Sequence, residues 1–247
     1  MVLALAGGLA GAVPVAIDVG HYLARPGATS AYGVTEFEYN HSLAAVLATR
    51  LAAEGVAVRL IGQRGEMADL KARPREAEAA GAGFFLSIHH DSVKETYLQP
   101  WVWQGRSLRH AEGFAGFSLF VSRLNPRLDE SLACASAIGA ALRQAGLPVA
   151  THHGVSAEGV ARPWADPVNG VYYYDNLVVL KTATIPAVLL EAGVIVNREE
   201  ERELAGAARR ALTAEAVLAG LRGCGMVTGS AGSARMPGAA PDRPERP

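Results

Sequence analysis

Three apolar runs in this chain end on residues able to bind a metal or move a proton. Residues 15–19 (VAIDV) lead into Gly20-His21, residues 84–88 (FFLSI) into His89-His90-Asp91, and residues 185–190 (IPAVLL) into Glu191. A fourth candidate comes from Thr35-Glu36-Phe37-Glu38, which has the form of a capping box with Glu38 reaching back to the N-cap. Glu38 then has a structural task at the third helical position, whereas Glu36 at the first is free to project. Glu36 is therefore the preferred ligand and Glu38 the reserve. Two neutral imidazoles and one carboxylate make a three-ligand set for catalytic zinc that leaves a coordination position for water. A further carboxylate nearby can take that water's proton. A single histidine at a strand end is more often a structural hydrogen-bond partner. Shared placement singles out these four.

The elements that must position them follow from the same runs. Short continuous apolar segments are buried strands of an α/β sheet, and such sheets carry their chemistry at the carboxyl ends of the strands. If the three strands are parallel, His21, His89, Glu191 and the helix start bearing Glu36 share one edge. After Thr35 a helix carries Leu43, Leu47 and Leu51 on one face and stops at Gly55. A strand over 56–61 follows, then a helix over 69–81 that Pro74 makes start late or kink. Residues 92–123 form a less regular excursion with Tyr97, Trp101 and Trp103, ending in a strand near 117–121. Asn125 and Pro126 suit the N-cap and first position of a helix that Gly146 closes. Residues 147–175 give no assignment. Residues 177–180 suggest a short strand, and Asn197 with Glu200 three residues on caps a last helix to about residue 221. The expected fold is α/β, a single domain with a central, mostly parallel twisted sheet and helices on both faces.

Composition narrows the function classes. The 247 residues are 50% hydrophobic and 19% charged with a net charge of −1, which is ordinary for a globular domain and gives no electrostatic reason to expect nucleic acid. Residues 1–14 resemble the apolar core of a secretory signal with an A-x-A-like site, although a basic leader is missing, and the run is too short to span a membrane. Residues 15–225 make the catalytic domain, and the Gly-, Pro- and Arg-containing stretch 226–247 reads as a disordered tail. Cys134 and Cys224 have no metal-binding spacing. They can form one disulfide, but their apolar neighbours favour buried, reduced thiols.

Other polar residues carry competing readings. His90 must point to the opposite strand face from His89, so only one of the pair reaches the metal. His152-His153 can be a second metal site, a substrate contact or loop polarity, with loop polarity the commonest outcome for such a pair. Asp18 sits in an apolar strand and needs a partner, as an orienter of a ligand histidine or bonded to backbone. Arg64 and Arg73 can hold a substrate carboxylate or stand solvated.

The chain resembles the zinc-dependent N-acetylmuramoyl-L-alanine amidases of the amidase type 3 class. The resemblance rests on Ile17-Asp18-Val19-Gly20-His21, then Gly33 with Glu36-Phe37-Glu38-Tyr39-Asn40, then Arg73 and Ser87-Ile88-His89, and finally Val188-Leu189-Leu190-Glu191-Ala192-Gly193 followed by Asn197. The motifs keep the family's order and spacing, with departures at Tyr22, Glu78, Asp91 and Val194. The resemblance implies one Zn2+ per chain held by His21, Glu36 and His89, and it makes Glu191 the catalytic glutamate. It selects His89 over His90. Asn40, Arg73 and His153 are the expected substrate contacts.

The expected activity is hydrolysis of the amide between N-acetylmuramic acid and L-alanine in peptidoglycan, by a monomer in the periplasm or secreted. Peptidoglycan is the expected partner, with room for a protein activator; neither nucleic acid nor a transmembrane segment is expected. The alternatives are a zinc peptidase acting on another cell-wall amide and a peptidoglycan-binding module without catalysis.

Overall fold

The structure, a computed structural model, describes residues 14–154 and 161–227. The expected leader (1–14) and tail (226–247) lie outside these residues, apart from Pro14, Met226 and Val227. The elements run β1 (Val15–Val19), α1 (Glu36–Ala53), β2 (Val58–Ile61), α2 (Ala72–Ala79), β3 (Phe84–Asp91), β4 (Gln99–Trp103), β5 (Arg106–His110), β6 (Ser118–Val121), α3 (Leu128–Gln144), β7 (Trp164–Asp166), β8 (Val171–Tyr173), α4 (Val178–Thr182), β9 (Ala187–Val194), α5 (Arg198–Leu204) and α6 (Ala207–Gly223).

Seven strands form one sheet in the order β2-β1-β3-β9-β6-β8-β7, while β4 and β5 pair as a separate hairpin. The half holding the three apolar runs is parallel throughout: β1 pairs with β2 and β3, and β3 with β9. Antiparallel pairing enters where β6 joins β9 and where β7 joins β8. Period-2 alternation divides the core. Val15, Ile17, Val19, Phe84, Leu86, Ile88, Val188 and Leu190 bury one face under α1, α3 and α6. Ala16, Phe85, Ala187 and Leu189 turn to the other face, covered by α2 and α4. The expected single α/β domain with helices on both faces is what folds.

Several local expectations are corrected. Residues 177–180 do not add a strand; Leu177 is the extended N-cap of α4, whose Val179 and Leu180 bury against the sheet. A short apolar run satisfies either state, and burial of one side decided for helix. Asn125 does not cap α3 directly. The helix starts at Leu128, Asn125 accepts from the Arg127 N–H, and its amide donates to the carbonyls of Leu180, Ala183 and Ile185. Asn197 does cap, accepting from the N–H groups of Glu199 and Glu200 at 3.0 Å. Glu200, however, turns inward to accept from the N–H groups of Val194 and Gly116, so no capping box closes. The expected last helix is two, interrupted at Gly206, where extended backbone restarts the chain as α6. Pro74 lies in the first turn of α2, which begins late as expected.

Cys134 in α3 and Cys224 at the C-cap of α6 are joined by a disulfide, which replaces the expectation of free thiols. The two helices approach closely enough for this because Gly220 has no side chain: a Cβ there would lie 2.4 Å from the Ile138 Cα. Among the described residues no helix is long and apolar enough to cross a membrane.

Candidate metal centre and its neighbours

β1, β3 and β9 are parallel neighbours, so their carboxyl ends deliver His21, His89 and Glu191 to one edge of the sheet. His21 follows Gly20 with φ 66°, a left-handed conformation uncommon for a residue with a side chain and typical of functional turns. The turn sets the His21 Nε2 2.9 Å from the Glu36 Oε2. The His89 Nδ1 lies 2.9 Å from the other carboxylate oxygen, Oε1. One ligand atom from each of the three lies within 4.8 Å of the other two.

Glu36 is buried, as the first helical residue of α1 after Thr35. The Glu38 carboxylate accepts from the Thr35 N–H at 3.0 Å, the capping role expected of it. Burial by itself would raise the Glu36 pKa, but the hydrogen bonds with His21 and His89 outweigh it and keep the carboxyl ionised far below its ordinary range. Two glycines let the set close. A Cβ on Gly20 would fall 2.3 Å from the His89 ring, and one on Gly27 would fall 2.3 Å from the Glu36 Oε2.

His90 points to the other face of β3, as strand alternation requires. It is buried against α1 with its Nδ1 2.8 Å from the Asn40 Oδ1. Burial pushes its pKa down to about 3.

Glu191 is the register partner of His89 in the next strand. Its Oε2 is buried and has no hydrogen-bond partner among the described residues. Burial, then the charges of Asp91 and Glu36, raise its pKa well above the usual carboxylate value, with Arg162 opposing. A carboxyl so placed holds a proton more readily than a solvated one.

Each of the three expected substrate contacts has partners within the chain. Asn40 is fully buried and donates to the Gly20 carbonyl at 3.2 Å and the Glu36 Oε1 at 3.3 Å. It braces the Glu36 carboxylate and the turn after β1. Arg73 borders a cleft of about 290 Å³ beside His21 and His89. Yet it is 1% exposed, and its terminal nitrogens donate to Asp18, to the backbone carbonyls of Val19, His21 and Met67, and so fasten the turn after β1. Asp18 is thereby partnered by Arg73 at 2.6 Å and Ser87 at 2.7 Å. His153 pairs with Asp91, its Nε2 2.8 Å from Oδ2.

Sequence reasoning missed that Asp91, His152 and His153 converge. The runs HHD and HH are each visible in the sequence, but Asp91 stands 61 and 62 residues from His152 and His153, and the three meet only in the fold. The exposed Arg25 also lines the cleft, together with Tyr22, Leu177 and Val179.

The residues present fit a zinc ion at His21, Glu36 and His89: two imidazole nitrogens and an ionised carboxylate converge, and the adjacent buried carboxyl oxygen has no partner among the described residues. Comparison with known proteins agrees with this architecture. The N-acetylmuramoyl-L-alanine amidase AmiC2 of Nostoc punctiforme shares 22% identity over 86% of this chain and 96% of its own, with a TM-score of 0.63. The catalytic domain of CwlV, an N-acetylmuramoyl-L-alanine amidase from Bacillus (Paenibacillus) polymyxa var. colistinus, shares 24% over 85% and 96%, with a TM-score of 0.64. Ami1, an N-acetylmuramyl-L-alanine amidase from Mycobacterium smegmatis, shares 19% over 86% and 96%, with a TM-score of 0.66. At these identities the likeness is one of fold. No curated protein sequence matches the chain. The family model described as N-acetylmuramoyl-L-alanine amidase matches residues 15–223, a span that takes in β1, α1, β3 and β9 with every group of the site, and this chain belongs to that family.

Proposed function

We propose that this protein hydrolyses the amide bond between N-acetylmuramic acid and L-alanine in peptidoglycan, with a zinc ion held by His21, Glu36 and His89 and with Glu191 as the general base and acid. One juxtaposition carries this reading. A two-histidine, one-carboxylate donor set stands beside a buried carboxyl, Glu191, whose Oε2 has no partner among the described residues. When bound, zinc would supply Lewis acidity toward the scissile carbonyl and the attacking water.

Glu191 accepts the proton from the attacking water and delivers it to the departing alanine amine. Its burial favours the protonated form between those two transfers. Asn40 and Arg73 act one step back: Asn40 fixes the Glu36 carboxylate, and Arg73 fixes the backbone that presents His21. The exposed Arg25 is placed in the cleft to meet a carboxylate of the peptide. A periplasmic or secreted location suits the substrate, and the Cys134–Cys224 disulfide suits the oxidising conditions found there.

Digestion of purified peptidoglycan tests the reading. The wild-type chain should release fragments with an intact lactyl group and a free alanine amine, identified by mass spectrometry. Glu191→Ala should abolish that release while keeping the zinc content of the wild type. Fragments cut within the peptide instead would make the protein a peptidase, and full activity of Glu191→Ala would remove Glu191 from its role.

A further inference from the structure

Asp91 stands two residues beyond His89 on the same face of β3, about 7 Å further along at the usual strand rise. Its Oδ2 lies 2.8 Å from the Nε2 of His152 and 2.8 Å from the Nε2 of His153. The short 3-10 turn His152–Gly154 presents the two imidazoles side by side, with ring centroids 4.2 Å apart. Neither ring owes its position to Asp91 alone. His152 packs edge-on against Phe114, and His153 against Phe120 and Tyr172. All three polar side chains are largely buried, at 9%, 17% and 15% exposure for Asp91, His152 and His153.

We propose that Asp91, His152 and His153 hold a second divalent transition-metal ion, of the zinc class, beside the one held by His21, Glu36 and His89. The donors are the same in kind as the first set, two imidazoles and one carboxylate, and their ligand atoms converge within the same 4.8 Å limit. Hydrogen bonding accounts for the cluster only in part. A single carboxylate oxygen lies within hydrogen-bond distance of both Nε2 atoms, and packing against Phe114, Phe120 and Tyr172 also holds the two rings beside it. A cation would take the same three ligand atoms.

A second observation points the same way. Glu191 is the register partner of His89, and Asp91 follows His89 by two residues on the neighbouring strand. The buried Glu191 Oε2 has no partner among the described residues. Asp91, Glu36 and Glu191 therefore place three carboxyl groups in one largely buried region. A cation at each donor set would offset the charge of the carboxylate in that set.

Metal counting decides the matter without reference to activity. The full chain is stripped with a chelator and equilibrated by dialysis against micromolar Zn2+, and zinc per chain is measured by elemental mass spectrometry. Two zinc ions per wild-type chain are expected. His152→Ala/His153→Ala should hold one, and so should His21→Ala/His89→Ala, which loses the other site. Asp91→Asn keeps the side-chain shape, so it reports on the site even where the double histidine variant fails to fold; it should also hold one. Circular dichroism identifies the folded variants. A wild-type chain with one zinc ion, or a second ion that survives both Asp91→Asn and a folded His152→Ala/His153→Ala, would overturn the proposal. Because His21→Ala/His89→Ala is counted separately, failure of the first site and failure of the second are distinguishable.

Discussion

His89 and Glu191 are register partners across β3 and β9, side by side in the parallel half of the sheet. The proposed ligand and the proposed base are thus fixed by one step of β-ladder, about 4.8 Å between strands. Beyond them the register shifts before Asp91 meets Val194, so β9 carries an extra residue just after the base. Rigidity of this kind makes reach the sensitive quantity. Glu191→Asp keeps the charge and withdraws the carboxyl by one methylene, and misplacement on the order of 1 Å can lower a rate about 100-fold. The expected result is a kcat lowered by roughly that factor with KM and zinc content unchanged, read from release of alanine amines on solubilised peptidoglycan fragments.

Arg73 and Asp18 form an ion pair in which both side chains are 1% exposed. Removing one partner of a buried pair typically costs about 3–5 kcal/mol, because the other charge is left without compensation. Arg73→Met should therefore lower stability by that order. Asp18→Asn in the Arg73→Met background should restore part of it, since the neutral amide still bonds to Ser87. Urea unfolding of the two variants and the wild type measures both steps; equal stability of wild type and Arg73→Met would contradict the pairing argument.

The proposed site residues are more legible in the sequence than the chain that surrounds them. A continuous apolar run ending abruptly in a polar residue is a strong sign of a buried parallel strand, and β1, β3 and β9 all carry it. The β4–β5 hairpin was hidden for a physical reason. Its turn is Gln104-Gly105, both with positive φ, and glutamine is a weaker marker of that backbone than asparagine or aspartate. Strands β7 and β8 are three residues each, too short for a periodicity to register. The family resemblance marks Asn40 and Arg73 as substrate contacts, and residue type alone does not separate a contact from a brace. Their burial and their bonds to Glu36, Asp18 and the His21 carbonyl are reported by no spacing in the sequence.

His90 gives the fold a dependence on pH. It is buried with its pKa pushed down to about 3, against an ordinary value of about 6.5. Between those two values the unfolded chain binds a proton that the folded chain does not, so stability falls as pH falls through this window. The slope contributed by one such group is about 1.4 kcal/mol per pH unit. His90→Gln, which can still donate to Asn40, should show a shallower loss of stability than wild type between pH 6.5 and 4. Urea unfolding of metal-free protein across that range checks the sign, and a steeper loss in the variant would reverse it.

The disulfide offers a test of what holds the helical face together. Cys134 and Cys224 are 90 residues apart in sequence, and a cross-link spanning about 90 residues restricts the unfolded chain strongly, with native bonds typically contributing about 2–4 kcal/mol. The bond also joins α3 to the end of α6 where Gly220 meets Ile138 at backbone distance, so the helices are already in register without it. Loss of the bond should therefore lower stability without moving the sheet edge that carries His21, His89 and Glu191. Cys134→Ala/Cys224→Ala is expected to unfold at lower urea concentration by that order, with zinc content unchanged. Wild-type protein in excess reductant should fall to nearly the same midpoint. Were the reduced wild type to keep the oxidised midpoint, the stabilisation would belong to helix packing alone, and the cross-link would contribute nothing measurable.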